Sequence, residues 1–476
     1  MSSLQLVWFR SDLRVTDNPA LHHASQAGDV AAVYLLFPQQ WQRHGDSPNK
    51  LWFWMQNLIE LRSALKALNI PLIIRTSDTY AKAPKQLLDL MSQLGCTHLW
   101  FNREYGINER QRDKRLIQQW DQHNISCHAS VDQTLFVPGS VLNRQGDYFK
   151  VFTPFKKHLY QQLSLDDLTP LPKPDKQRPL TLPDEVAAAA NIDLETLYTP
   201  TANSIPTYLK AGEPAAQEAL ESFIQELSHQ YKDLRDQPAT QGTSGLSPWL
   251  VSGTLSIRQC FYAALLANNN ELDSGNQGLV CWMSELIWRE FYKHILYGFP
   301  RVSKHKAFIE KTEQLPWGKD PSLLTAWQQG ETGYPIVDAA MKQLVTTGLM
   351  HNRLRMITAM FLSKNLMLDW RLGEAFFMKH LIDGDLAANN GGWQWSASTG
   401  TDAAPYFRMF NPVKQSQTFD PEGRFIRHWL PQLKALDNKS IHEPWVLKEK
   451  LTYYPTPIVN HSESRAKVLA AFKQLG

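Results

Sequence analysis

Leu4-Gln-Leu-Val-Trp-Phe9 is a short apolar run, cut off at once by the charged turn Arg10-Ser-Asp-Leu-Arg14. Runs of the same kind return at 30–37, 71–76, 98–102 and 125–130. Between them lie longer segments, such as 51–68 and 84–94, whose apolar residues recur every three or four positions, the spacing of one helix face. Strands alternating with amphipathic helices build βαβ units and a parallel sheet. Residues 1–130 therefore read as a doubly wound α/β domain. Such a sheet binds ligands beyond the carboxyl ends of its strands, but the first turn, Arg10 to Arg14, lacks the G-x-G-x-x-G fingerprint, which argues against an ordinary NAD-type site.

Further along the chain the pattern changes. Pro170, Pro172, Pro174, Pro179, Pro183 and Pro200 interrupt both helix and ladder, so 131–205 reads as a long connecting loop. From Pro206 onward the spacing is helical, with strong stretches at 215–234, 279–297, 335–349, 351–368 and 372–381. The fold class expected is α/β plus all-α, with a helical domain over 206–476.

A chain of 476 residues, 43% apolar and 20% charged, is globular and long enough for several buried cores. Its formal net charge of +3 does not announce a nucleic-acid binder, so any such claim must rest on local residues. Cys96, Cys127, Cys260 and Cys281 show no C-x-x-C or metal-type spacing, which fits a reducing compartment. The first apolar run is too short for a signal segment, and no stretch approaches the roughly 20 apolar residues that span a bilayer. The expectation is a cytoplasmic protein without a membrane segment.

Three clusters carry chemistry. In Leu279-Val-Cys-Trp-Met-Ser-Glu-Leu-Ile-Trp-Arg-Glu-Phe-Tyr292, residues Glu285, Trp288, Arg289 and Tyr292 fall on one helical face able to grip a flat polar ligand. The plainer reading is a partly buried helix with a Glu–Arg pair. In Leu381-Ile-Asp-Gly-Asp-Leu-Ala-Ala-Asn-Asn-Gly-Gly-Trp-Gln-Trp395, glycines beside Asp383, Asp385, Asn389 and Asn390 imply close backbone approach with donors and acceptors at hand. A metal is disfavoured there, since no His or Cys is near in sequence. In Met350-His-Asn-Arg-Leu-Arg-Met356, Asn352, Arg355 and Met356 share a face while Arg353 points elsewhere.

Together with Leu6-Val-Trp-Phe-Arg-Ser-Asp-Leu-Arg14, Gly242-Thr-Ser-Gly-Leu-Ser-Pro248, Trp288-Arg-Glu-Phe-Tyr292 and Ala404-Pro-Tyr-Phe-Arg-Met-Phe-Asn-Pro412, these segments resemble the photolyase/cryptochrome family, in the family's order and through both halves of the chain. The resemblance implies FAD, active as FADH⁻, in the helical domain and an antenna chromophore at the α/β domain. It puts Tyr231, Thr243, Ser244, Gly245, Leu246 and Ser247 around the FAD phosphates and ribityl chain. Asn352, Arg355, Asp383, Gly384, Asp385 and Asn389 meet the flavin, with Asn389 at N5, and Glu285, Arg289 and Tyr292 also belong to the FAD set. The implied lesion pocket is Glu285, Trp288, Asn352, Met356 and Trp395, and Trp393, Trp370 and Trp317 match a tryptophan chain that passes electrons to the flavin. Arg235, Arg353 and Arg408 match positions that hold DNA phosphates.

The implied activity is light-driven splitting of cyclobutane pyrimidine dimers in ultraviolet-damaged DNA, by a monomer that needs no protein partner. A cryptochrome photoreceptor is the rival. Against it stand Asn389 in the N5 slot, where plant and animal cryptochromes usually carry Asp or Cys, and a chain that ends at Gly476 soon after its last recognisable segment. A (6-4) photolyase would show histidines where Asn352 and Met356 stand, and a DASH-type protein commonly has Tyr in place of Trp395. His44 lies just beyond the second strand and Asn108 and Glu109 beyond the fourth, at the binding edge of the sheet. With Lys304 closing the site, they match the folate-type bacterial photolyases, which implies 5,10-methenyltetrahydrofolate; 8-hydroxy-5-deazaflavin is the alternative. Ser303 stands where a relative has Cys.

Overall fold

A computed structural model describes residues 4–120, 125–197 and 209–475. Five strands, β1 (Gln5–Phe9), β2 (Val30–Leu36), β3 (Leu72–Thr76), β4 (His98–Asn102) and β5 (Ser126–Ser130), pair in parallel in the order β3-β2-β1-β4-β5. Every strand expected from the sequence is present, with ends displaced by at most one residue. Gln5 of β1 stands opposite both Val30 and His98, so the order reverses between β1 and β4, the switch point where such sheets open a crevice. All of β1 and β2 is buried, because helices cover both faces. Val7, Phe9, Tyr34 and Leu36 pack with Met55, Leu58, Leu61 and Leu65 of the helix Pro48–Ala67. Leu6, Trp8, Val33 and Leu35 pack on the opposite face with Leu87, Leu90, Met91 and Leu116.

The charged turn after β1 joins the sheet to the helical part. Arg14 pairs with Asp132 and donates to the Gly253 carbonyl at 2.8 Å, and Arg258 donates to Asp17 at 3.0 Å and to Asp132 at 3.1 Å. A Cβ at Gly253 would collide with the Ser11 carbonyl, so only glycine permits this approach. A turn filled with its own protein has no room for a pyrophosphate, which is the physical content of the missing glycine fingerprint.

Within 131–197 the chain forms the helices Phe152–Gln162, Leu165–Leu168, Asp184–Ala190 and Leu194–Leu197. Phe152, Phe155, Leu159 and Leu168 join the core of the helical part, while Val186 and Leu194 return to the sheet's two faces. Pro200 and the expected boundary at 205/206 lie outside the described residues.

In the helical part, the stretches expected at 279–297, 335–349 and 372–381 are the helices Gln277–Gly298, Pro335–Thr347 and Trp370–Met378. Two others are interrupted. The stretch at 351–368 is α-helical only over Asn352–Met360 and then widens into a π turn over Phe361–Asn365. The stretch at 215–234 is Glu213–Ser222, a π turn Phe223–Leu227, a 3₁₀ turn Ser228–Gln230 and Tyr231–Leu234. At each break a serine hydroxyl donates to the carbonyl four residues back, Ser363 to Ala359 and Ser228 to Ile224, both at 2.7 Å, competing with the regular ladder. No helix among the described residues is long and apolar enough to cross a membrane.

Candidate active site

Three helices meet at the centre of the helical part: Gln277–Gly298, Asn352–Met360 and Leu386–Ala397. Each is started by a side chain that accepts backbone N–H groups, from Asn276, His351 and Asp385 respectively. Arg355 grips the buried carboxylate of Asp383 at 3.0 and 2.8 Å, and the Ser247 hydroxyl donates to the same group at 2.7 Å. Asp385 caps Ala388 N–H at 2.9 Å and takes a bond from Lys293 Nζ at 2.9 Å. Burial works to raise the Asp385 pKa, yet the charges of Lys293 and Arg289 hold it well below the usual carboxylate range. Burial depresses Lys293 in turn, against the pull of Asp385.

Along the helix Leu386–Ala397, Asn389 and Gly392 share a face three residues apart. The Asn389 amide nitrogen donates to the Glu374 carbonyl at 3.0 Å. A Cβ at Gly392 would meet nothing within 4 Å, whereas one at Gly391 would strike the Tyr292 ring. One glycine of the pair thus brings two helices together, and its neighbour keeps a space open beside Asn389.

Glu285, Trp288, Arg289 and Tyr292 sit on one helix, but their side chains take separate partners. Glu285 pairs with Arg235, and Trp288 stacks on Phe152 at 3.8 Å between ring centroids. Arg289 turns away to the Gln133 and Leu250 carbonyls at 2.5 and 3.3 Å, because a long side chain can carry its guanidinium off the face its Cβ defines. Asn352 is exposed, and Met356 and Trp395 are half-buried on the neighbouring helices.

Tyr231 is buried beneath Arg235, whose guanidinium lies 5.7 Å from the ring centroid. Thr243 and Ser244 are half-buried, Leu246 is buried, and Gly245 and Ser247 are exposed at the start of the short helix Ser247–Ser252. Of the arginines expected at phosphates, Arg353 is paired with Asp236 at 2.7 Å, Arg235 with Glu285, and Arg408 is exposed.

At the switch point of the sheet, a cleft of about 780 Å³ runs between the sheet domain and the helical part. His44, Asn108, Glu109 and Lys304 all line it. Asn108 lies 3.0 Å from His44 Nε2, and the Tyr80 hydroxyl donates to Glu109 at 3.1 Å. Burial, with the nearby charge of Glu104, raises the Glu109 pKa. Lys293, Gly384 and Asp385 line the same cleft, so it reaches the helix that carries Asn389.

Residues 5–175 match the DNA photolyase family, and residues 282–474 match the FAD binding domain of DNA photolyase. The chain belongs to the DNA photolyase family. It is 43% identical to the deoxyribodipyrimidine photo-lyase of Escherichia coli over 98% of each chain, and equally to that of Salmonella typhimurium over 98% of each. Among solved structures, a class III photolyase from Agrobacterium tumefaciens superposes with TM-score 0.88 at 32% identity, covering 100% of this chain and 98% of its own. A Synechocystis cryptochrome reaches 0.84 at 29% identity, with 99% of each chain covered.

The photolyase cofactor fits the residues present. A flat ring needs an open seat beside a polar edge, and Gly392 beside Asn389 leaves one. Arg355 and Asp383 form a fixed charge pair, and the Thr243–Ser247 segment offers hydroxyls and backbone amides without a carboxylate among them. Of the tryptophans, Trp393 and Trp370 are buried in one core, with Trp317 partly buried at its edge. Trp327, not singled out from the sequence, meets Trp393 edge-on at 5.9 Å. Lys293 was also missed; its one signal was its place four residues after Arg289 on the same helix.

Proposed function

We propose that the chain repairs cyclobutane pyrimidine dimers in DNA under blue light. The observation that carries this reading is the meeting of the Asn389 and Arg355–Asp383 groups with the accessible Glu285, Trp288, Asn352, Met356 and Trp395 on three packed helices. Relatives named deoxyribodipyrimidine photo-lyase, alike over nearly the whole of both chains, support it. FAD, when bound and reduced to FADH⁻, would supply photoinduced one-electron chemistry with no net redox change.

The chain's own residues bind, orient and shield. Asn389, its amide nitrogen held by the Glu374 carbonyl, would face flavin N5. Asn352, Arg355, Asp383, Gly384 and Asp385 frame the ring, and Tyr231, Thr243, Ser244, Gly245, Leu246 and Ser247 hold the phosphates and ribityl chain, with Glu285, Arg289 and Tyr292 behind them. Trp288 and Trp395 are flat walls for the lesion, Met356 gives an apolar contact, and Glu285, held in place by its pair with Arg235, receives a base edge. Photolyases are themselves a standard instance of base flipping, so that step is carried over from the family; a distorted dimer is extruded for less than the few kcal/mol a normal base costs. Arg235, Arg353 and Arg408 hold phosphates, and Trp317, Trp370 and Trp393 relay electrons from the surface. His44, Asn108, Glu109 and Lys304 hold a methenyltetrahydrofolate antenna, with 8-hydroxy-5-deazaflavin as the competing chromophore. The enzyme acts on damaged DNA as a cytoplasmic monomer.

Purified, reduced protein is mixed with a dimer-bearing oligonucleotide and lit at blue wavelengths. Restored thymines that depend on light are expected; no repair would overturn the proposal. Loading with folate should add a near-ultraviolet band beyond that of FAD, and uptake of only deazaflavin or a second flavin would overturn the antenna assignment.

A further inference from the structure

The turn Val302–Lys304 ends at His305, whose φ of 55° lies in the left-handed region that non-glycine residues rarely occupy. Two bonds hold it there: His305 Nδ1 lies 3.0 Å from Glu374 Oε2, and Arg371 Nε donates to the His305 carbonyl at 2.6 Å. The Glu374 side chain is 2% exposed and that of His305 58% exposed, so a surface imidazole reaches a carboxylate inside the protein. A carboxylate so placed needs a cation or several donors. The other Glu374 oxygen accepts from Asn390 at 2.8 Å, and its backbone carbonyl accepts from Asn389. On the opposite side of the turn, Ser303 Oγ accepts the Ile107 N–H at 3.0 Å, just ahead of Asn108 and Glu109. Ser303, Lys304 and His305 all line the cleft.

We infer that His305 is a further positioning residue of the antenna cleft: bound to Glu374, it holds the turn that carries Ser303 and Lys304 against the cleft wall and ties it to the helix bearing Asn389. The identity of the ligand rests on the folate reading; the latch does not. The charged groups around the ring are Glu374 and Arg371, the latter paired with Glu313, and its chain neighbours Lys304 and Lys306. The bond to Glu374 raises the His305 pKa above its ordinary 6.5, against burial and the Arg371 charge. A raised pKa means the charged latch is fully present below the ordinary value and is lost as pH rises through the raised one.

The FAD-loaded protein is titrated with methenyltetrahydrofolate between pH 6 and 8.5, as wild type and as His305→Asn, which tolerates a left-handed backbone and donates a bond that does not titrate. Wild-type affinity should fall about fivefold or more across the range, a typical coupling between sites, and the variant should lose that part of the fall, its profile keeping only what groups such as Glu109 contribute. Parallel profiles in both proteins would overturn the inference. If wild type takes up no folate at any pH, the folate reading fails and a second measurement decides the latch: amide exchange at Ile107, corrected for intrinsic rates. Protection there should fall as His305 deprotonates and be lost in His305→Ala. Protection independent of both would overturn the latch.

Discussion

His351 sits one residue from the expected lesion pocket and is the histidine nearest to it in sequence. Its ring accepts the Arg353 N–H at 3.2 Å, which requires a bare nitrogen, and burial, helped by the charges of Arg353 and Arg355, pushes its pKa down to about 4. Reversing a (6-4) adduct moves a hydroxyl or amino group and needs a proton donor, for which histidine is the natural choice near neutral pH. A neutral acceptor cannot supply it. Reduced enzyme under blue light should therefore repair cyclobutane dimers and leave (6-4) products unchanged, and product analysis of the two lesions presented separately checks this. The same shift bears on stability. With the folded pKa below the unfolded value near 6.5, only the unfolded chain takes up the proton between them, so the contribution is full above 6.5 and drains as pH falls toward 4. His351→Asn, which keeps a capping oxygen, should flatten that part of a urea-midpoint profile. A second residue-scale expectation concerns Trp317, whose ring nitrogen is buried without a hydrogen-bond partner. Trp317→Phe thus sacrifices no hydrogen bond, keeps most of the packing and removes an oxidisable ring. Photoreduction of oxidised FAD should slow severely while repair by pre-reduced enzyme stays near wild type; equal loss of both would make Trp317 a packing residue.

The helix Leu386–Ala397 concentrates the flavin-side chemistry, and two adjacent glycines on it separate packing from binding. Gly391→Ala drives a methyl into Tyr292 and should cost about 1–3 kcal/mol, as overpacking does, visible in the unfolding of the protein with or without FAD. Gly392→Ala meets no protein atom and replaces a helix-interior glycine, so the apoprotein should be as stable as wild type or up to about 1 kcal/mol more stable while FAD retention drops; unchanged retention would place the ring elsewhere. The open seat at Gly392 was not legible in the sequence, which showed only that glycines stood beside Asn389 and Asn390. Strands were legible almost to the residue because a buried parallel strand is an unbroken apolar run, as 30–37 is. The π turns at Phe361 and Phe223 were not, since Ser363 and Ser228 read as ordinary helix residues until their hydroxyls are seen bonded to the preceding turn. Helical spacing likewise set Glu285, Trp288, Arg289 and Tyr292 on one face, but could not show that Arg289 would be drawn off to two carbonyls.

Across the whole molecule, charge is arranged by pairing. The motif Arg10-Ser-Asp-Leu-Arg14 advertised an unusual first turn, but the docking of Arg14 on the Gly253 carbonyl joins residues 239 positions apart, beyond any local pattern. The same holds where DNA is expected to bind. Arg353 was legible as a base pointing off the Asn352–Met356 face, yet its partner Asp236 lies far off in sequence and was not. A formal charge of +3 leaves little long-range attraction, so affinity must come from arginines that meet phosphates directly. Arg408 is exposed, and Arg408→Ala should weaken damaged and undamaged DNA alike, lowering the slope of log K against log salt by about 0.9, the contribution of one neutralised phosphate. Arg353→Ala should do this and more, because it also leaves the Asp236 carboxylate, facing a polyanion, with only the longer pair to Arg235 at 3.8 Å. The double change Arg353→Ala with Asp236→Ala separates the two effects. Removing the carboxylate lifts the repulsion, so part of the affinity should return, but the slope, which counts neutralised phosphates, should stay about 0.9 below wild type. If the double variant instead recovers both affinity and slope, Arg353 serves only to cancel Asp236, and the phosphate contact belongs to another residue.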